Sequence, residues 1–243
     1  MASEVVLLAG IAFLGAMIFG ITGFGSALVT IPLATHFVPL RFALALYALV
    51  DLCSALSVGL ENPKHAVPRE WKRLVPMILA GTVFGVTLLI NLPRGAATFL
   101  LGAFIFTYAL YSLLRRTSPR VIHAGWAWFA GFCGGITSSL FGAGGPPYAI
   151  YLSQRGLTKE QFRATMGFAA ITSISLRTTA FFITGSLLDW RVWECAAAAV
   201  PAALLAIYIA RHLYHRISRE VVMRVISVIL LASGGSLIFR ALH

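Results

Sequence analysis

Charged residues are scarce in this sequence. Asp, Glu, Lys and Arg make up 11% of its 243 residues, and 59% of the residues are hydrophobic. A soluble domain carries about 25% charged residues, so this chain lacks the polar surface of a water-soluble globule. Residues 5–40 and 121–154 contain no Asp, Glu, Lys or Arg, and such runs predict membrane spans. We therefore predict an all-α polytopic protein of the lipid bilayer.

Acidic residues and cysteines are rarer still. The chain has 8 Asp and Glu against 19 Lys and Arg, and its net charge is +11. The basic residues fall in short loops between apolar runs, so membrane topology explains them better than nucleic-acid binding does. Cys53, Cys133 and Cys195 form no CxxC pair and no Cys/His spacing. We therefore expect packing cysteines, no metal site and no cofactor.

The apolar residues group into segments, two of which are too long for one crossing. The N-terminus lacks a basic start and a small-residue cleavage site, which predicts a retained segment rather than a signal peptide. A single crossing needs ~20 residues, and the first and fifth segments exceed this. Each of the two contains a glycine cluster, at residues 20–25 and 142–147. The eight segments are predicted at about 5–37, 42–60, 73–90, 95–114, 124–152, 163–184, 192–210 and 221–239.

The basic residues decide between two topologies. If every segment crosses once, the loop Lys and Arg divide almost evenly between the two sides. If both long segments enter, break and return, one side holds nearly all of them, as the positive-inside rule requires. This predicts two helical hairpins and places both termini outside. The basic side would hold Lys64, Arg69, Lys72, Arg73, Arg115, Arg116, Arg120, Arg155, Lys159, Arg163, Arg211, Arg216 and Arg219, and the other side Arg41, Arg94, Arg191 and Arg240.

The two halves of the chain look like copies of one unit. At an offset of about 119 residues, Gly23-Phe24-Gly25 aligns with Gly142-Ala143-Gly144, and Glu70-Trp71 aligns with Asp189-Trp190. Each unit has one broken, re-entrant hairpin and three transmembrane helices, so the second copy is inverted. The predicted units are residues 1–120 and 121–243. Inverted repeats with broken helices are typical of secondary transporters.

Several motifs connect the chain to a known family. They are Gly20-Ile21-Thr22-Gly23-Phe24-Gly25-Ser26 followed by Ile31-Pro32-Leu33, then Ser139-Leu140-Phe141-Gly142-Ala143-Gly144-Gly145-Pro146, Phe162-Arg163-Ala164-Thr165 and Gly185-Ser186-Leu187-Leu188-Asp189-Trp190. On these the sequence resembles the sulfite exporter TauE/SafE family of membrane permeases over essentially its whole length. The resemblance implies an exporter in the bacterial inner membrane for sulfite, organosulfonates or related sulfur-containing or carboxylate anions.

The glycine clusters also predict a binding site. A broken membrane helix exposes backbone N–H groups at the start of its second arm, and these donors and the helix dipole attract anions. The alternative is that the glycines only allow close helix packing. We favour binding, because both breaks have hydroxyl side chains beside them. The predicted substrate-binding residues here are Thr22, Gly23, Gly25, Ser26, Ser138, Ser139, Gly142, Gly144, Gly145 and Ser173.

Two ionisable residues lie deep within apolar segments. An arginine at the bilayer centre costs at least ~2.5 kcal/mol, so Arg177 in the sixth segment calls for a partner. Its forked donors fit an oxyanion, and we predict substrate contact. The alternative is a structural ion pair with Asp51, in the second segment. Asp51 would carry a coupling proton or act as the counter-ion of Arg177, and the sequence leaves both roles open.

These features predict a secondary transporter, coupled to protons, that moves a small anion by rocking one unit against the other. An anion channel or an uncoupled permease is the alternative, because re-entrant segments also build selectivity filters. An enzyme is not expected, since HExxH and GxSxG motifs are absent and Asp51, deep in its segment, lacks a carboxylate partner for an aspartyl dyad. The oligomeric state stays open, with a homodimer as one form.

Overall fold

A computed structural model of the chain describes residues 2–114, 121–213, 228, 230–232, 234–237 and 239. All regular structure within these ranges is helical. Most of the eighth predicted segment, residues 221–239, and the basic cluster at 115–120 lie outside the described residues. The helices are α1 Ala2–Thr22, α2 Ser26–Ala34, α3 Leu40–Gly59, a 3-10 turn at Pro63–His65, α4 Pro68–Asn91, α5 Arg94–Leu114, α6 Trp126–Phe141, α7 Gly145–Ser153, α8 Lys159–Ile183 and α9 Trp190–Leu213.

Six of the described helices are long and apolar enough to cross a bilayer: α1, α3, α4, α5, α8 and α9. Large apolar side chains such as Phe84, Phe182, Leu205 and Tyr208 are exposed on their outer faces. A soluble protein rarely exposes so much contiguous apolar surface, whereas lipid tails solvate it. This confirms the predicted class, an all-α multi-pass membrane protein.

Both predicted glycine clusters interrupt a helix. Residues 23–25 separate α1 from α2 and form the first break, and residues 142–144 separate α6 from α7 and form the second break. The φ angles of Gly23, Gly25 and Gly142 are 81°, 94° and 72°. Only glycine reaches these angles without a steric penalty, so the chain can reverse at these points.

Each break is followed by a short helix. The helices α2 and α7 have 9 residues each, which gives a length of about 13 Å, half the ~30 Å hydrocarbon core. Beside α7, the backbone N–H of Ile122 donates to the carbonyl of Gln154 over 3.1 Å. At the start of α1, Arg191 pairs with Glu4 (3.3 Å) and lies over the ring of Phe42 (5.6 Å). These contacts join the residues before and after each of the two helix pairs, α1–α2 and α6–α7.

The two ends of the helix bundle differ in charge. The loops at residues 60–67 and 154–158 and the end of α9 meet at one end, which we call the basic end. There Glu61 pairs with both Arg163 (3.1 Å) and Arg211 (2.6 Å). The opposite end holds the first turns of α1, α3 and α9 and the end of α4.

The helices of the two halves interleave. The most extensive packing joins α4 to α6 and α1 to α9, so the hairpin of each half rests on a long helix of the other half. The helices α3 and α8 pack together through the centre. This arrangement brings both breaks into the interior, where the side chains between them are buried.

A buried carboxylate anchors the second hairpin. Glu70, in the first turn of α4, accepts hydrogen bonds from Nε (3.1 Å) and Nη2 (3.0 Å) of Arg155 and from the hydroxyl of Tyr151. Arg73 pairs with the same carboxylate over 3.1 Å. The forked guanidinium gives this contact a defined geometry, and it ties the end of α7 to the start of α4.

Candidate anion site

The two breaks meet around a cavity of about 30 Å³ in the centre of the bundle. This volume exceeds the ~10–15 Å³ that one water molecule requires and is small against drug-sized pockets of ~300 Å³ and more. It therefore matches a small ion or a few water molecules. The lining residues are Phe19, Phe24, Gly25, Ser26, Ala27, Asp51, Ser138, Gly142, Ala143, Gly144, Gly145, Tyr148, Ala170, Ser173 and Ile174.

Two helices begin in the cavity wall. The first N–H groups of a helix have no partner within the helix, and neither α2, which begins at Ser26, nor α7, which begins at Gly145, has a side-chain cap. These donors lie at the positive ends of two helix dipoles, an arrangement that favours an anion. Pro146 and Pro147 occupy the first turn of α7, where they remove two of its donors.

Hydroxyl groups from both halves reach the same cavity. Ser26 donates its hydroxyl to Oδ1 of Asp51 over 2.5 Å, and the Tyr148 hydroxyl donates to Oγ of Ser173 over 3.0 Å. All four of these residues are buried. Buried hydroxyls of this kind can turn to donate to an anion, because their hydrogen rotates about the C–O bond.

The two deep ionisable residues form an ion pair. Nη2 of Arg177 lies 3.0 Å from Oδ2 of Asp51, with 1% and 4% of the two side chains exposed. Nη1 of Arg177 donates to the carbonyl of Ser138 over 3.2 Å. Asp51 faces the cavity, whereas Arg177 lies behind the wall at Gly142, where an added Cβ would lie 2.9 Å from Nη1. The structure thus contains the ion pair that we predicted as the alternative role of Arg177.

The structure brings most of the predicted residues to the cavity and leaves four outside its lining. Those in the lining are Gly25, Ser26, Asp51, Ser138, Gly142, Gly144, Gly145 and Ser173. Thr22 directs its hydroxyl to the carbonyls of Ile18 and Phe24, and Ser139 directs its hydroxyl to those of Thr82 and Gly135. Hydrogen bonds of this kind to nearby backbone are common for Ser and Thr in helices. Gly23 and Arg177 are the other two outside the lining.

Tyr148 is a lining residue that sequence reasoning missed. Its ring lies against Gly134 of α6, where an added Cβ would come within 2.0 Å of the ring, so glycine at this position makes room for it. Tyr148 follows the second break by one helical turn and carries a polar tip. The sequence signal that could have found it is an aromatic hydroxyl one turn after a glycine break.

The cavity lining pairs residues that are 119 positions apart. The lining contains four pairs at this spacing: Phe24 and Ala143, Gly25 and Gly144, Ser26 and Gly145, and Asp51 and Ala170. The members of the last pair differ in chemistry, because Asp51 supplies a carboxylate and Ala170 a methyl group. The site therefore has one ionisable wall.

Nearly the whole chain matches a known protein family. The family described as Sulfite exporter TauE/SafE matches residues 8–237 of the chain. The chain belongs to this family. It is accordingly a membrane transporter.

Two curated relatives match most of the chain. One, from Cupriavidus necator, is named "Probable sulfite/organosulfonate exporter TauE" and is 28% identical over 232 residues, which cover 91% of this chain and 89% of the relative. The other, from Comamonas testosteroni, is named "Probable inner membrane transporter protein TsaS" and is 26% identical over 195 residues, 79% of this chain and 81% of the relative. No solved structure matches the chain.

Proposed function

We propose that this TauE/SafE member is a secondary transporter that exports a small anion across the bacterial inner membrane. The substrate class is sulfite, an organosulfonate or a related sulfur-containing or carboxylate anion. The observation that carries the proposal is the central cavity, where the starts of two helices and several hydroxyl groups converge beside a buried Arg–Asp pair. A relative named as a sulfite/organosulfonate exporter supports the substrate class.

The proposed architecture consists of two inverted units, residues 1–120 and 121–243, each with a re-entrant hairpin. Three observations support it. The ends of each hairpin lie together, as the contact of Ile122 with Gln154 and those of Arg191 with Glu4 and Phe42 indicate. Two pairs of corresponding helices have equal lengths, 9 residues in α2 and α7 and 24 in α4 and α9, whereas α1 and α6 have 21 and 16 residues and α3 and α8 have 20 and 25. The basic end fits the cytoplasmic side, which places both termini outside.

Transport in this architecture proceeds by alternating access. Each hairpin packs on a long helix of the other half, so the two units can rock about the centre while the site stays near the midplane. The central cavity is small in this structure. Entry and exit of the anion therefore require the cavity walls to separate, on one side of the membrane at a time.

Asp51 is the proposed proton carrier. Its carboxylate holds the hydroxyl of Ser26 and the guanidinium of Arg177, the same donors that an oxyanion would use. A proton on Asp51 removes a negative charge from the site and releases both donors to the substrate. Proton and anion therefore bind together, and Arg177 contacts the substrate in that state.

This coupling is compatible with export. Sulfite, a divalent anion, carries a net charge of −1 when it leaves with one proton, whereas methanesulfonate or acetate with one proton carries none and depends on its own concentration gradient. A membrane potential that is negative inside favours the exit of sulfite with its proton by about 2.3 kcal/mol per 100 mV. The same potential would drive an uncoupled anion as well, so the buried carboxylate is the feature that favours coupling over a simple permease.

Flux in proteoliposomes tests the proposal. Efflux of sulfite, methanesulfonate and acetate is measured together with internal pH, for the wild type, Arg177→Ala and Asp51→Asn. We expect saturable efflux with accompanying proton movement in the wild type and strong loss in Arg177→Ala. Asp51→Asn should lose the proton movement. Wild-type rates in both variants would refute the site assignment, and large single-channel currents would favour an anion channel instead.

A further inference from the structure

A second cavity, which we call the vestibule, opens at the basic end of the bundle. Its volume is about 430 Å³, which lies in the range of ligand pockets and far exceeds that of the central cavity. Its charged and titratable lining residues are Lys159, Arg163, Arg211, Glu61, Glu160 and His65. The vestibule thus has room for a hydrated anion and carries an excess of basic over acidic groups.

One carboxylate holds the two vestibule arginines together. Glu61 pairs with Nη2 of Arg163 (3.1 Å) and with Nε of Arg211 (2.6 Å). Arg211 also donates from Nη2 to the carbonyl and the hydroxyl of Ser57, at 3.1 Å each. A single carboxylate shared by two guanidiniums leaves a net positive charge, and guanidiniums bind oxyanions through forked donors.

The start of α8 adds to this positive potential. Lys159, Glu160, Arg163 and Ala164 belong to its first two turns and line the vestibule. The N-terminal end of a helix carries the positive end of its dipole. Low-dielectric walls focus such a field and raise the local concentration of anions.

The vestibule and the central cavity lie along the same two helices. On α8, Arg163 lines the vestibule and Ala170 lines the central cavity, about 10 Å apart along the helix axis. On α3, Gly59 lines the vestibule and Asp51 lines the central cavity, about 12 Å apart along the helix axis. Arg163 also reaches the carbonyl of Gly20, three residues before the first break, over 3.4 Å.

Two glycines allow α3 and α8 to pack closely between the two cavities. An added Cβ at Gly167 of α8 would lie 2.7 Å from Cα of Gly59, and one at Gly59 would lie 3.2 Å from the carbonyl oxygen of Gly167. Here α3 and α8 touch through their backbones, as helices with small residues do in membranes. The contact shuts the direct route between vestibule and centre in this conformation.

We propose that the vestibule is a receiving site for the substrate anion. Arg163 and Arg211 hold an oxyanion there, on the cytoplasmic side, until α3 and α8 separate and admit it to the central cavity. This inference rests on the proposed function and adds to it a second site and the route between the two sites.

Two substitutions that change the charge of the vestibule in opposite directions test, by transport kinetics, whether it binds the anion. Arg211→Gln is expected to raise the KM for methanesulfonate about tenfold, the scale of one charged hydrogen bond, with kcat unchanged. Glu61→Gln is expected to lower the KM, because it removes the negative charge that both guanidiniums share. If the ion pairs of Glu61 only stabilise the structure, both substitutions should change the KM in the same direction. Lys72→Gln is the matched control, since it removes an exposed positive charge outside the vestibule lining and should leave the KM unchanged.

A labelling experiment tests the vestibule without any transport. Asn62 is exposed and lines the vestibule, so Asn62→Cys supplies a reporter once Cys53, Cys133 and Cys195 are replaced by alanine. An anionic thiol reagent should modify it about tenfold faster than a cationic reagent of similar size. Arg211→Gln should remove that preference, and Lys72→Gln should keep it. Equal rates for the two reagents, or a faster cationic reagent, would overturn the proposal.

The two proposals fail in distinguishable ways. If the wild type moves none of the tested anions, the proposed function fails and the labelling result still decides whether the vestibule attracts anions. If Arg177→Ala abolishes transport while Arg211→Gln and Glu61→Gln both match Lys72→Gln, the central site stands and the vestibule inference is wrong.

Discussion

Arg177 of α8 and Asp51 of α3 join the two halves of the bundle through an ion pair, with Nη2 and Oδ2 3.0 Å apart. Removing ions from water costs several kcal/mol each, and mutual attraction offsets this only when the remaining hydrogen bonds are complete. Ser26 and the carbonyl of Ser138 supply two of those bonds. Nε of Arg177 has no hydrogen-bond partner among the described residues. A pair with an unsatisfied donor is a weak stabiliser and can exchange partners with a substrate.

The first prediction separates the structural role of the pair from its transport role. Arg177→Gln and Asp51→Asn each leave one buried charge without its partner, which costs about 3–5 kcal/mol. The double variant should recover most of this stability, because it removes both charges. Thermal unfolding of the purified protein in detergent measures the three variants. Transport should stay low in the double variant, and full transport there would show that the pair is only structural.

The second prediction concerns Tyr148. Tyr148→Phe removes the hydroxyl that donates to Ser173 and should raise the KM for the transported anion several-fold, since one hydrogen bond is worth about 1 kcal/mol. Tyr47→Phe is the matched control. Its hydroxyl is also buried and donates to the carbonyl of Leu8 (3.0 Å), yet Tyr47 is not a lining residue of the cavity. The control should lose similar stability with an unchanged KM, and equal KM changes in both variants would contradict a binding role.

Large features of the fold were predictable because they follow from simple physical constraints. Apolar length and scarce charge predict the spanning helices, and the glycine clusters at 20–25 and 142–147 predict the two breaks. The rarity of ionisable side chains in apolar segments singled out Arg177 and Asp51. Their pairing was among the alternatives, because a buried charge needs a partner.

Finer features of the site depend on side-chain direction, which the sequence pattern does not contain. Thr22 and Ser139 lie beside the breaks as predicted, but their hydroxyls bond to backbone carbonyls. Which residues of α7 face the cavity depends on the helical phase after the second break, and this phase brings Tyr148 inward. The shared pairing of Glu61 with Arg163 and Arg211 joins residues about 100 and 150 positions away in sequence, so no local motif marks it.

The third prediction tests the inverted architecture. Single cysteines at Arg116 and Lys72 should react with an impermeant thiol reagent only from the cytoplasmic side, and a cysteine at Asp189 only from outside. The reason is the positive-inside distribution of the loops. Labelling in whole cells and in inside-out vesicles provides the measurement, on a background without the native cysteines. Labelling of the Arg116→Cys protein from outside alone would overturn the topology.

The fourth prediction concerns the anchor of the second hairpin. Arg155→Gln removes two hydrogen bonds to the buried carboxylate of Glu70, and bonds to charged groups contribute about 1.5–3 kcal/mol each. The variant should unfold at a lower temperature in detergent. Because Arg155 is not a lining residue of the central cavity or the vestibule, its KM should stay at the wild-type value. A changed KM at unchanged stability would show that Arg155 contacts the substrate path.

The fifth prediction concerns the cavity wall itself. Gly144 has φ −71°, which any residue adopts, so its role is close approach rather than backbone freedom. An added Cβ would lie 2.8 Å from the carbonyl oxygen of Gly134, 2.9 Å from Cβ of Ser138 and 3.2 Å from Oγ of Ser173. Gly144→Ala should therefore crowd the cavity and abolish transport, with a stability loss of about 1–3 kcal/mol from overpacking.

Gly10→Ala is the control for this variant, because nothing lies within 4 Å of an added Cβ at this exposed position of α1. It should transport like the wild type and gain up to about 1 kcal/mol of stability from the higher helix propensity of alanine. Efflux rates and thermal unfolding, measured on both variants at equal protein density, separate crowding of the site from general effects of the methyl group. Wild-type efflux in a folded Gly144→Ala protein would show that the anion does not pass between the two breaks.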